Sequence, residues 1–196
     1  GLVSSVPIAL LRSARRAGWL QMASRVVAEL RSNEVDIGRY GLEDARLHWA
    51  LGDGSRAIRS ALECLDVIEG GASRTRVPAL ERNVMRSKLL VHLGKWTAAM
   101  NKAPPRVIID TFLERATIFT GNVHDPACQH QLAQALFALA EYHDRLLVEK
   151  ERRVKSPEWL ASREVILSMR AESTTLDEFD DLAPTAPAAG MRAAAA

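Results

Sequence analysis

The stretch RLHWALGDGSRAI, Arg46–Ile58, decides between two kinds of fold. Its segment Gly52–Ala57 matches a loose dinucleotide fingerprint, G-x-G-x-x-A, in which glycines let the backbone approach a pyrophosphate. The same glycines also suit a tight turn between two packed helices, because glycine readily adopts the left-handed conformation. The first interpretation predicts a cofactor-dependent enzyme, and the second predicts a helical scaffold.

The residues around this segment favour the helical turn. A dinucleotide fingerprint requires a preceding strand, a following helix and an acidic residue about 20 positions further on. The preceding sequence LEDARLHWAL, Leu42–Leu51, has the apolar spacing of a helix, and no acidic residue lies at the required distance after Ala57. We therefore predict that the chain binds no nucleotide cofactor.

Composition narrows the class of protein. Of the 196 residues, 47% are hydrophobic and only 5% aromatic, with alanine and leucine dominating, which favours helices. The net charge of +2 comes without a dense basic patch interleaved with aromatics, so we predict no direct nucleic-acid partner. No apolar run approaches the length of a membrane span, which predicts no membrane partner. Cys64 and Cys128 form no C-x-x-C pair, so we expect a reducing compartment and neither a disulfide framework nor a zinc knuckle.

Apolar residues recur at helical spacing along most of the chain, and no segment alternates with the period of a strand. The sequence therefore predicts an all-α fold of eight or nine helices. We expect Lys95–Lys102 to form a short separate helix and Pro126–Arg153 the longest one. The predicted buried stripe of the long helix is Leu132, Leu136, Leu139, His143 and Leu146. Ser156 and Pro157 are typical of a helix start, and the helix that follows is expected to end near Glu172.

Three glycines that interrupt the helical pattern suggest a repeat. Gly18, Gly52 and Gly94 are each followed five residues later by an alanine, at spacings of 34 and 42 residues. Such a period is typical of stacked helical hairpins, as in tetratricopeptide and HEAT repeats, where each hairpin leaves an apolar face for its neighbour. The fold expected for residues 1–173 is thus a TPR/HEAT-like α-solenoid.

The last part of the chain has a different composition. Residues 174–196 lack a sustained apolar face and run from an acidic stretch into an Ala/Pro-rich one, which predicts a disordered tail. Leu176–Leu182 is acidic and contains an aromatic residue, so it could be a short binding motif. We prefer the alternative that it belongs to a solvated tail. Because the chain begins at Gly1, we expect it to be a segment of a larger protein.

Candidate metal and catalytic residues are few. His124, Cys128 and His130 are close in sequence but lack a fourth ligand at a recognised spacing, so we predict no metal site. His143, beside Asp144, has no partner that would make it an acid or base, and it is expected to be a core or groove residue. His48 and His92 precede the break glycines, and we interpret them as residues at helix C-termini.

The arginines and tryptophans admit a structural and a functional interpretation. Five arginines make the first hairpin basic, and we prefer a solvated helix face to a surface for an acidic partner. The four tryptophans are expected to pack between helices rather than stack on a ligand. These sets are Arg12, Arg15, Arg16, Arg25 and Arg31, and Trp19, Trp49, Trp96 and Trp159. No nucleophile, Walker or kinase motif occurs, so we predict no catalytic, cofactor-binding or metal-ligating residue.

Four segments resemble a known family in their order. LEDARLHWALGDGSRAIRSAL, Leu42–Leu62, resembles the repeat in the FAT region of phosphatidylinositol-3-kinase-related kinases, where a pattern like E-A-x-x-x-W-x-x-G-x-x-x-x-A-L recurs. KLLVHLGKWTA, PPRVIIDTFLERA and QALFALAEYHDRL follow at Lys88–Ala98, Pro104–Ala116 and Gln134–Leu146. This succession is similar to the FAT region of the ATM-type branch over roughly residues 6–172.

The resemblance implies a parent protein with a kinase domain that this chain lacks. Such kinases are large nuclear serine/threonine kinases that signal DNA double-strand breaks and help maintain telomeres. Their FAT region is an α-solenoid that wraps the kinase domain and contributes to dimerisation. The implied partners are the kinase domain of the same parent chain, a second protomer or regulatory proteins, and the implied location is the nucleus.

Two other functions stay open from the sequence. One is a free-standing TPR-like adaptor that binds a protein or peptide, which would be a soluble protein of the cytoplasm or nucleus. The other, which we favour least, is a small all-α enzyme.

Overall fold

A computed structural model describes residues 5–70, 78–121 and 125–180. Within these ranges the chain consists of helices and turns, without a strand, which confirms the all-α prediction. The elements are α1 Ser5–Arg16, α2 Leu20–Ser32, α3 Ile37–Ala50, α4 Gly54–Glu69, α5 Ala79–Ala99, α6 Pro105–Ile108, a π-helical segment Ile109–Leu113, α7 Glu114–Gly121, α8 Pro126–Val154 and α9 Pro157–Asp180.

The helices pair into antiparallel hairpins that stack on one another. Helix α1 packs on α2, α3 on α4, and α5 on the π-helical segment and α7. Neighbouring hairpins are joined by contacts of α1 and α2 with α3 and of α4 with α5. This arrangement confirms the predicted stack of helical hairpins.

Four helices end in the same backbone motif. After α3, the N–H of Gly52 donates to the Trp49 carbonyl (3.1 Å) and that of Asp53 to the His48 carbonyl (3.0 Å), which is the Schellman pattern. The motif needs one residue with positive φ. Those residues are Gly18, Glu34, Gly52 and Asn101, after α1, α2, α3 and α5. The predicted turns at Gly18 and Gly52 are therefore confirmed.

The third break glycine was predicted wrongly. Gly94 lies inside α5, which continues to Ala99, so Lys95–Lys102 is not a separate helix. A Cβ at Gly94 would lie 2.7 Å from Cδ2 of Leu113 in the π-helical segment. The glycine is therefore needed for a close approach of two helices rather than for a turn, and sequence spacing alone does not separate these two uses.

Helices α3 and α4 approach each other just as closely. A Cβ at Gly41 would lie 2.7 Å from Sγ of Cys64, which is completely buried. Ala45, Ala57 and Ala61 are also fully buried. Small residues at the interface of this hairpin therefore allow the two backbones to come together.

The buried face of α8 differs from the predicted stripe. Its buried residues are Cys128, Gln131, Ala135, Ala138 and Tyr142. Leu136 and His143 of the predicted stripe are exposed, while Leu132, Leu139 and Leu146 are half-buried. Gln131 Nε2 donates to Ser87 Oγ of α5 (3.2 Å), so α8 turns its small and polar residues toward the neighbouring helix. A ranking of positions by hydrophobicity alone selects the wrong face.

Contacts within the chain divide it into two compact units, Gly1–His143 and Asp144–Ala196. In the second unit, Ser156 Oγ accepts a hydrogen bond from the Trp159 N–H (3.3 Å), as expected for the first turn of α9. The helix continues to Asp180, beyond its predicted end near Glu172, so residues 174–180 of the predicted tail are helical. Residues 181–196, and the side chains of the predicted motif Leu176–Leu182, lie outside what the structure describes.

No helix in the described ranges combines the length and the apolar character that crossing a membrane requires.

Candidate interaction surfaces

The segment that matched the dinucleotide fingerprint joins α3 to α4. Asp53 caps α4, because its Oδ1 accepts a hydrogen bond from the Arg56 N–H (2.9 Å). A helix precedes the segment where the fingerprint requires a strand. Ala57 is fully buried, as expected if it lets the two helices close. The interpretation of this stretch as a helical turn is confirmed.

The predicted His/Cys cluster is arranged differently from a metal site. His124 lies outside the described residues, Cys128 is buried, and His130 is exposed and hydrogen-bonds Gln134 (2.9 Å). Asp125 caps α8 by accepting the Ala127 N–H (2.8 Å). Across the described residues, no group of three or more His, Cys, Asp or Glu side chains is placed to hold a metal ion.

Three arginines converge on the carboxylate of Glu43, which is only 3% exposed. Arg12 Nε donates to Oε1 (3.0 Å), and Arg46 NH1 donates to the same oxygen (2.8 Å). Arg15 donates to Oε2 through Nε (3.2 Å) and NH2 (3.1 Å). Burial by itself would raise the pKa of Glu43, but the charges of Arg46 and Arg15 and the hydrogen bond from Arg12 hold it below its ordinary value.

Arg46 links this cluster to α5. Its Nε and NH2 donate to Nε2 of His92 (3.1 and 2.8 Å), which requires a neutral imidazole with its proton on Nδ1. Burial and the charge of Arg46 lower the pKa of His92 to about 4. The His92 ring also packs on Trp96, with centroids 5.0 Å apart. His92 lies inside α5 rather than at a helix C-terminus, which corrects the prediction.

Asp44, the next residue of α3, faces a different set of partners. Its fully buried Oδ2 accepts hydrogen bonds from Arg31 NH2 of α2 and Ser60 Oγ of α4, both at 2.8 Å. His48 Nε2 lies 3.6 Å from the other oxygen. Ser60 donates to the carboxylate instead of an imidazole, so this Ser/His/Asp group lacks the hydroxyl–imidazole bond of an activated nucleophile. The cluster ties three helices together.

The preferred interpretation of the basic first hairpin as a solvated face was wrong for Arg15, whose side chain is 18% exposed, and incomplete for Arg12 and Arg31, which are 50% and 47% exposed. All three of these arginines pair with buried carboxylates. A signal was present, since Glu43 and Asp44 occur together inside an otherwise apolar part of α3. Two adjacent buried acids require cations from neighbouring helices, because an unpaired buried charge is costly.

The tryptophans divide into two pairs. Trp49 of α3 stacks on Trp96 of α5 with ring centroids 5.3 Å apart and planes inclined by 16°. This pair confirms the predicted packing between helices. Trp19 and Trp159 are instead exposed, so the prediction was wrong for them.

Helix α9 presents an exposed apolar surface. Every side chain that the structure describes in it, residues 157–170, is exposed. Its large apolar residues are 41–63% exposed, and they are Trp159, Leu160, Val165, Ile166, Leu167 and Met169. We call this set the α9 surface.

A comparison of the chain with protein-family models and with curated proteins finds no match.

Proposed function

We propose that this chain is a non-catalytic scaffold segment of the FAT solenoid of a large ATM-type serine/threonine kinase. The ordered sequence motifs that resemble this region support the proposal, and a stack of helical hairpins is the architecture that it requires. In the parent protein the segment would pack against the kinase domain, a second protomer or regulatory proteins. Its role in nuclear DNA-damage signalling and telomere maintenance is then mechanical.

The α9 surface is the observation that carries the scaffold function. Large exposed apolar patches on proteins mark sites of interaction with other surfaces. In a helical-repeat array each hairpin leaves an apolar face that the next unit covers. The six apolar residues of the α9 surface could be buried in the same way against another helical element.

Size-exclusion chromatography with light scattering tests this function on the whole chain. We expect the wild type to self-associate, and the double substitution Ile166→Ser with Leu167→Ser to shift it toward monomer. The control is Val107→Ser with Ile118→Ser, which removes two exposed apolar side chains from other helices. A monomeric wild type, or an equal effect of both pairs, would contradict the proposal.

The alternative is a free-standing TPR-like adaptor, for which the α9 surface would bind a protein or peptide. Sequencing of the full transcript separates the two. Further helices followed by a kinase site would support the FAT segment, whereas an initiator Met just upstream and a stop codon just downstream would support the adaptor. Turnover of any substrate by the purified chain would overturn both.

A further inference from the structure

We infer that the face shared by α1, α3 and α5 is a docking surface for an Asp/Glu-rich peptide segment, bound through its carboxylate groups. We call this face the basic face and define it by Arg12, Arg15, Arg46 and Lys88. It lies in the first unit of the chain and does not include the α9 surface. The inference therefore holds for the FAT segment and for the adaptor alike.

The basic face carries more positive charge than the fold needs. One carboxylate, Glu43, is shared by three guanidinium groups, which leaves an excess of two positive charges. Two of these cations are largely removed from water, since the side chains of Arg15 and Arg46 are 18% and 23% exposed. Holding cations together away from water without matching anions is unfavourable. An anionic partner would relieve this imbalance.

Lys88 on α5 adds a fourth cation to this face. Burial and then the positive charges of Arg46 and Arg12 lower its pKa, although Glu43 acts in the opposite direction. Lys88 is thus close enough to Arg46, Arg12 and Glu43 to interact with all three. An incoming carboxylate would be attracted to this point.

Two of the four cations are placed to meet a partner. The Arg12 side chain is 50% exposed, and its bond to Glu43 uses Nε. The guanidinium group of an arginine can bind a carboxylate in a bidentate manner through two of its nitrogens. Lys88 is half-buried and supplies a compact positive charge on a neighbouring helix. A peptide crossing from α1 to α5 would contact both.

The test is a fluorescence-anisotropy titration of the full chain with three labelled peptides of equal length. One is rich in Asp and Glu, the second carries phosphoserines in place of the acids, and the third is the neutral Asn/Gln version. Because the arginines of the basic face already bind a carboxylate, we expect the Asp/Glu peptide to bind, with an affinity that falls as salt is added, and the neutral one not to bind. Binding of the phosphoserine peptide alone would contradict a site for carboxylates.

Matched variants locate the binding site. Arg12→Gln with Lys88→Gln is expected to weaken binding at least about tenfold, equivalent to 1.4 kcal/mol. Arg25→Gln with Arg39→Gln removes the same charge from exposed positions elsewhere and should change affinity much less. Urea unfolding checks that each variant is folded. Glu43 keeps Arg15 and Arg46 in the first variant, so we expect it to fold.

Three results would overturn the inference. They are no binding of the Asp/Glu peptide, an equal loss of affinity in the two variants, and tighter binding of a single-stranded oligonucleotide with the same dependence on Arg12 and Lys88. The variant Ile166→Ser with Leu167→Ser should bind the acidic peptide as the wild type does. This last comparison separates failure of the basic face from failure of the α9 surface.

Discussion

Glu34 adopts a φ of +51° at the end of α2, in the position that Gly18 and Gly52 occupy after α1 and α3. A residue with a Cβ is disfavoured in this left-handed region by roughly 1–2 kcal/mol, whereas glycine is not. The motif after α2 therefore forms in spite of its residue, because its hydrogen bonds and the packing of the hairpins favour the turn.

Replacing Glu34 by Gly should therefore stabilise the protein by about 1 kcal/mol, because the strain is removed. Gly52→Ala should destabilise it by a similar amount for the converse reason. Urea unfolding followed by circular dichroism measures both. Glu29→Gly, in the exposed face of α2, serves as the control and should destabilise by about 1 kcal/mol, because glycine is unfavourable inside a helix. A destabilising Glu34→Gly would contradict the expected strain.

His92 should make folding stability depend on pH. Its pKa is lowered to about 4 in the folded chain by burial and by Arg46, while the ordinary value is 6.5. The unfolded chain therefore binds a proton more readily, so stability is full above pH 6.5 and falls as the pH decreases toward 4. The loss is expected to reach at most about 3 kcal/mol. Urea unfolding at a series of pH values measures it.

The variant His92→Gln keeps an acceptor for Arg46 but cannot take up a proton. We expect its stability to vary less with pH between 6.5 and 4 than that of the wild type. Glu43 also titrates, but its pKa is lowered from 4.5, so the stability that it contributes is lost only at the acidic end of this range and below. An unchanged pH profile in the variant would mean that another group is responsible.

Helix α5 and the π-helical segment meet at Gly94 and Leu113, an element-scale contact that the sequence analysis mistook for a turn. The π-helical segment, with its wider hydrogen-bonded turn, brings Leu113 against Gly94. Helical periodicity predicts the helical character of this part of the chain, but no simple pattern predicts a π turn within it. The π turn packs against α5, and the residues next to the turn in the sequence do not show which helix will become its neighbour.

Gly94→Ala is expected to destabilise the protein by about 1–3 kcal/mol, because the new methyl group overpacks against Leu113. Leu113→Ala alone should cost about 2–5 kcal/mol through the cavity that it leaves. In the double variant, Gly94→Ala should lower the free energy of unfolding much less, because the Leu113 side chain that it would overpack against has been removed. Chemical unfolding of the four proteins gives the coupling energy. Additive effects would show that the two residues do not oppose each other.

At the scale of the whole molecule, the two units should differ in local stability. Helices α3, α4 and α5 contain many buried residues, whereas the described side chains of α9 are all exposed. Local opening is easiest where few apolar contacts are made. Hydrogen exchange at low protein concentration should therefore show fast exchange in α9 and slow exchange in α3–α5. Equal protection in both would indicate that α9 is covered in solution.

The sequence predicted the helical class and the hairpin stack because composition and periodicity report directly on helices. It also identified the turns at Gly18 and Gly52, which glycine marks. It did not predict the basic face, since the pairing of Glu43 with Arg12 and Arg15 depends on which helices become neighbours. The α8 stripe was misplaced because the buried residues of this helix, among them Ala135 and Ala138, are small or polar, whereas the predicted leucines are exposed or half-buried.

The two buried cysteines can be used to measure how fast separate parts of this fold open. Only the thiolate reacts quickly with thiol reagents, and burial raises the pKa of Cys64 to about 12. Cys64 lies between α3 and α4, and Cys128 lies on the buried face of α8. Each thiol can therefore react only after its helix has separated from its neighbours. Labelling rates of Cys128→Ala and Cys64→Ala proteins would time the opening of each region separately, without the introduction of a new cysteine.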